Sequence, residues 1–191
     1  MNFRYCKSGA AASAAALFFA GGALAADPQV CAACHGPEGN SVIPANPSLA
    51  GQPAQAISTQ LFQFREGNRK DPQMTPMAAN LSNKEMNELA SYFSKQKPAA
   101  PTHKTAPENA AAGPKLTQQF NCVQCHGPAL MGQQHIPRIA GQQYDYVFAQ
   151  LRKFKAHTRA DLDGNMTAAT EPLTDKDVEI LADYVAGLSP L

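Results

Sequence analysis

The pattern C-x-x-C-H occurs twice, at Cys31, Cys34 and His35 and again at Cys122, Cys125 and His126. The chain has five cysteines, and these two motifs use four of them. Two thiols about one helical turn apart can reach the two vinyl groups of a porphyrin as thioethers. The next residue then presents an imidazole to the iron from the same face, which is the signature of covalent c-type haem attachment. Three other uses of paired cysteines compete with it. In an oxidising compartment each pair could close a disulfide, redox-active or structural. A redox-active pair of the thioredoxin kind needs a βαβ context, and no β-rich alternation flanks either motif. A zinc site built from both pairs would join segments 91 residues apart and leave both histidines without a role. A structural C-x-x-C module without cofactor would be colourless.

The two motifs head an internal repeat. "NPSLAGQ" (46–52) answers to "IPRIAGQ" (136–142), "QLFQFREGNR" (60–69) to "QLRKFKAHTR" (150–159), and "LSNKEMNELASYF" (81–93) to "LTDKDVEILADYV" (173–185). A period near 90 residues with two copies describes a duplicated domain rather than a solenoid. Each copy has a helical outline: Ile57, Leu61 and Phe64 fall at helical spacing, as do Tyr144, Val147, Phe148, Leu151 and Phe154. The last helix of each copy opens on a capping signal, Ser82 with Glu85 and Thr174 with Asp177. The fold class is therefore all-α, two tandem haem domains. The expected division is an export signal at 1–26, a first domain at 27–97, a linker at 98–113 and a second domain at 114–191. The linker region, 97–114, is rich in Pro and Ala and reads as partly extended, with His103 solvated. Halves this small hold little apolar mass, and a covalently held porphyrin would supply the missing core.

The first 26 residues carry a short basic start, an apolar alanine-rich stretch too short for a bilayer, and a small-x-small site near Ala25 or Ala26. Export to the periplasm is expected, with Cys6 removed on processing. Without Arg4 and Lys7 the remainder has 14 basic and 15 acidic residues, a net charge of −1. With no basic stripe, nucleic acid is not an expected partner.

The sixth ligand decides what such an iron can do. Met74 and Met166 stand 39 and 40 residues beyond their histidines, and each lies seven residues before the leucine that opens the last helix. The second copy offers only Met166, which selects Met74 over Met77 in the first. Met77 is then expected to pack in the core beside the haem edge, and Met86 on the apolar stripe of its helix. Met131 lies in a loop and is a poor candidate. His135 and His157 have no histidine counterpart in the first copy, which argues against them as ligands. Pro47 and Pro137 follow the motif histidines by 12 and 11 residues, so their carbonyls are candidate acceptors for the second ring nitrogen, or else simply shape the loop.

These residues together resemble the class I cytochromes c, and the tandem arrangement is similar to the two-haem cytochrome c4 family. The resemblance spans about Cys31 to Leu188. It implies two covalently bound haem c groups held by Cys31, Cys34, Cys122 and Cys125. The irons would be bound by His35 with Met74 and by His126 with Met166. It further implies two facing domains with propionates near their interface, and a soluble or loosely membrane-associated periplasmic electron carrier serving redox proteins, often towards a terminal oxidase. Family members usually have a helix before the first motif, whereas here "DPQV" alone separates the expected cleavage site from Cys31, and the second copy keeps a plausible version in "AAAGPKLTQQFN" (110–121). The first haem is accordingly expected to be the more exposed, on the less stable domain. The rival functions are a haem subunit docked permanently on a dehydrogenase and a diheme peroxidase, which would need an open iron site.

Overall fold

The computed structural model describes residues 26–190; the expected export signal and Cys6 lie outside the described residues. Among the described residues there are helices and no strands, only an isolated bridge between Gln133 and Ile136. The first repeat contains α1 (Pro28–His35), α2 (Ala54–Arg65), α3 (Met74–Ala78) and α4 (Asn83–Ser94). The second contains α5 (Pro107–Gln119), α6 (Cys122–His126), α7 (Tyr144–Lys155), α8 (Asn165–Thr170) and α9 (Asp175–Gly187). The all-α class and the duplication both hold.

Both capping signals form in full. Ser82 Oγ accepts from the Glu85 amide at 3.2 Å, while the Glu85 carboxylate accepts from the Ser82 amide at 2.8 Å. Thr174 and Asp177 repeat the exchange at 3.1 and 2.9 Å. Two orphan amides at the start of each helix are satisfied this way. From those starts α4 and α9 carry their apolar stripes inward. In the first repeat Leu89, Ala90 and Phe93 of α4 meet Ile57 of α2. In the second, Ala182 and Val185 of α9 meet Val147 of α7, with Leu130 and Ala140 from the loop before it.

The loop that follows each motif is built alike. Gly39 O accepts from the Leu49 and Ala50 amides at 2.7 and 3.1 Å, and Leu130 O accepts from Ile139 and Ala140 at 2.9 and 3.1 Å. Both residues need the left-handed region, φ +81° for Gly39 and +57° for Leu130. Leu130 occupies a conformation that favours glycine while its side chain, 2% exposed, fills the core.

Two expectations about the connecting region are corrected. The stretch expected to be extended ends at Ala106, and α5 starts at Pro107, a residue suited to a first helical turn. His103 is not a solvated loop residue. Its Nε2 lies 2.6 Å from Asp183 Oδ1 and its ring stacks on Tyr144 at 5.3 Å between centroids. Asp183 gathers the whole approach to α5, accepting from the Ala106 amide at 3.0 Å and from Asn109 Nδ2 at 2.8 Å. Composition read this segment as partly extended and moderately stiff, but one part-buried carboxylate on α9 organises it. Helix α5 then crosses α9 closely at Gly113, where an added methyl would run into the Tyr184 ring. The first repeat presents only three residues of α1 before Cys31.

The two repeats face each other. Loops 48–52 and 138–142 contact one another, and beside them α2 and α7 meet through a group of polar side chains. Arg69 donates to Gln60 Oε1 at 2.5 Å, to Tyr146 Oη at 3.1 Å and to Gln150 Oε1 at 3.3 Å. Arg159 answers with Gln150 Oε1 at 2.6 Å and Gln60 Oε1 at 3.1 Å. Each guanidinium also lies 4.4 Å from a phenylalanine centroid of its own repeat, Phe64 or Phe154. Burial alone would push the Tyr146 phenol up, yet the two guanidiniums beside it bring it down to about 8.

Candidate functional site

Helix α1 carries Cys31, Cys34 and His35, and α6 carries Cys122, Cys125 and His126. Asp27 starts α1 by accepting from the Gln29 amide at 2.9 Å, with Pro28 in the first turn. Each helix ends at a glycine with positive φ, Gly36 at +78° and Gly127 at +80°. In both motifs the first cysteine is half-buried, the second exposed and the histidine buried.

The histidines are anchored in the same way. His35 Nδ1 is 2.8 Å from Pro47 O, and His126 Nδ1 is 2.8 Å from Pro137 O. A carbonyl can only accept, so Nδ1 carries the proton and donates it, leaving the lone pair on Nε2. Burial pushes both imidazoles below their ordinary range, against the upward pull of these carbonyl bonds. The neutral tautomer with a free Nε2 is the form a metal takes up. Both prolines therefore act as acceptors as well as loop formers.

The thiols have a different character from those of a redox enzyme. All four are free, and burial pushes the Cys31 and Cys122 thiols up. A catalytic cysteine of the disulfide-exchange kind needs the opposite shift. Nor do the two pairs meet: among the described residues no three His, Cys, Asp or Glu side chains converge as a metal site. A shared zinc centre is therefore excluded by geometry. The donor set of each repeat, two free thiols beside an oriented neutral imidazole, fits a covalently attached haem.

Met74 opens α3 and Met166 lies in the first turn of α8, both half-buried. Their helices pack against α2 and α7 of their own repeats. A carboxylate fixes the backbone of each. Asp71 Oδ1 accepts from the Gln73 and Met74 amides, each at 3.0 Å, and Asp161 Oδ2 accepts from the Met166 amide at 2.7 Å. The preceding helices also tie down the far end of the segment. Arg65 of α2 donates to Leu81 O at 2.9 Å, and Lys155 of α7 to Leu173 O at 2.5 Å.

Of the other candidates, Met86 is core as expected, at 3% exposed, and Met131 lies in a loop against the second core. Met77 departs from the core packing expected of it: it is 51% exposed, on the short helix α3. His135 lies at the surface 4.0 Å from Asp163, and His157 is exposed in a turn.

A family model described as cytochrome c matches residues 17–97 and 110–189. A cytochrome c4 of Thiocapsa roseopersicina is 39% identical over 171 residues, covering 84% of this chain and 88% of that protein. A thiosulfate dehydrogenase electron acceptor of Thiomonas intermedia (strain K12) is 35% identical over 198 residues, 95% of this chain and 91% of that protein. The crystal structure of reduced recombinant cytochrome c4 from Pseudomonas stutzeri superposes with a TM-score of 0.77 at 32% identity, covering 84% of this chain and 94% of that one.

Proposed function

We infer the function of this chain from its kinship: it belongs to the cytochrome c family and, within that family, to the two-haem cytochrome c4 group. It is an electron carrier with two covalently bound haem c groups, one in each repeat. When bound, each haem supplies a one-electron iron couple. Cys31 with Cys34, and Cys122 with Cys125, would hold it as thioethers, each S–H adding across one vinyl group with its proton on the neighbouring carbon. His35 and His126 would give the iron a neutral Nε2, their rings oriented by the bonds to Pro47 and Pro137. Met74 and Met166 would supply the second iron ligand in their repeats, a soft thioether that would keep small molecules off the iron and favour the ferrous state. The single observation that carries this reading is the pair of 2.8 Å bonds that leave both imidazoles neutral and singly committed.

The working place is the periplasm, reached through the export signal. The upstream partner is a dehydrogenase, with thiosulfate dehydrogenase as the class supported by a relative's name, and the downstream partner is a terminal oxidase. The test is direct mixing of the oxidised protein with thiosulfate dehydrogenase and thiosulfate. Rapid appearance of reduced haem bands is expected, with the protein still eluting alone on gel filtration. No reduction would exclude this donor. Elution as a fixed one-to-one complex would support the competing reading, a subunit docked permanently on its dehydrogenase.

A further inference from the structure

The interface holds a reciprocal pair of glutamines at matching positions of the repeat. The Ser48 amide donates to Gln142 Oε1 at 2.7 Å, and Gln142 Nε2 donates to Ser48 O at 3.0 Å. In return, the Arg138 amide donates to Gln52 Oε1 at 2.9 Å, and Gln52 Nε2 donates to Arg138 O at 3.0 Å. Each side-chain amide thus brackets the residue just after the proline of the other repeat. Gln142 and Gln52 are 4% and 6% exposed, so neither bond competes with bulk water.

The bracketed residue matters because of what shares its peptide group. The N–H of Ser48 and the C=O of Pro47 belong to one amide. Gln142 accepts from one end of it, and His35 donates to the other at 2.8 Å. The amide joining Pro137 to Arg138 lies in the same way between Gln52 and His126. Hydrogen bonds on both ends of an amide polarise each other: an acceptor on the N–H makes the carbonyl oxygen a stronger acceptor. A stronger acceptor on Nδ1–H makes the imidazole a more electron-rich ligand.

We propose that Gln142 and Gln52 are positioning residues that act across the interface, each orienting and polarising the axial histidine of the opposite repeat through a single peptide group. This rests on the haem reading above. The potential of each haem is then set in part by the other half of the molecule, so separating the halves would shift both upwards.

The test uses the full exported protein with its haems, as Gln142→Met and Gln52→Met. Met keeps the length of the side chain and removes the amide. Q142M should raise the potential of the first-repeat haem more than that of the second, and Q52M should do the reverse, with each haem assigned from its axial methionine resonances. Equal shifts of both haems, larger shifts within the mutated repeat, or no shift would overturn the proposal. A measurement on the wild type stands if a variant does not fold. The Ser48 and Arg138 amides should exchange slowly with solvent although both lie in loops, and fast exchange of either would refute the clamp. A wild-type protein without haem bands would sink the haem reading instead, whatever the exchange rates show.

Discussion

At the scale of single residues, the two expected histidine ligands are held by the proline carbonyls that spacing pointed to, and the two expected methionines by carboxylates that it did not. Asp71 and Asp161 hold the amides of Met74 and Met166, but they precede their methionines by 3 and 5 residues, so the repeat register hides their equivalence. The methionines themselves were singled out because both are counted back from the leucine that opens the last helix. Bonds of this kind at the start of a helix are worth about 0.5–2 kcal/mol against alanine. Asp161→Ala is therefore expected to loosen Met166. In a urea titration the sulfur–iron charge-transfer band of one haem should disappear earlier, while that of the other keeps its midpoint. A band unchanged in both haems would show that the carboxylate does not support the ligand.

At the scale of elements, α4 and α9 were legible to within a residue of their starts, since capping boxes and apolar stripes are local signals. The start of α5 was not. Pro and Ala between the repeats suggest an extended chain, and the interaction that orders it comes from Asp183, 80 residues beyond His103. Burial alone would push the Asp183 carboxyl up, but hydrogen bonds from Asn109, His103 and the Ala106 amide hold it below its ordinary value. Its carboxylate is therefore more acidic in the folded state than in the unfolded chain. The resulting stability is fully present well above the ordinary value of about 4 and is lost as pH falls through and below it. Asp183→Asn should lower the urea midpoint of the second repeat at pH 6. That difference from the wild type should shrink between pH 4 and pH 3. Parallel curves across this range would show that Asp183 carries no acid-sensitive stability.

At the scale of the whole molecule, two domains were legible from the repeat, and the way they meet was not. The "AGQ" ending of both loops was visible, but nothing local says that each glutamine reaches into the other copy. The same holds for the arginines. Arg69 and Arg159 sit at matching positions, yet only the fold shows that they share Gln60 and Gln150 across the interface. Hydrogen bonds between surfaces leave no period in a sequence, whereas a helix face does. Among the described residues no helix is long and apolar enough to cross a membrane. The two small helical halves are joined by polar contacts. Each half holds a covalently bound porphyrin, and the mass of the exported polypeptide tests this most directly. Two haem groups per chain are expected, falling to one when Cys31 and Cys34, or Cys122 and Cys125, are replaced by alanine. An unmodified mass, or one lighter by the hydrogens of two disulfides, would contradict the account.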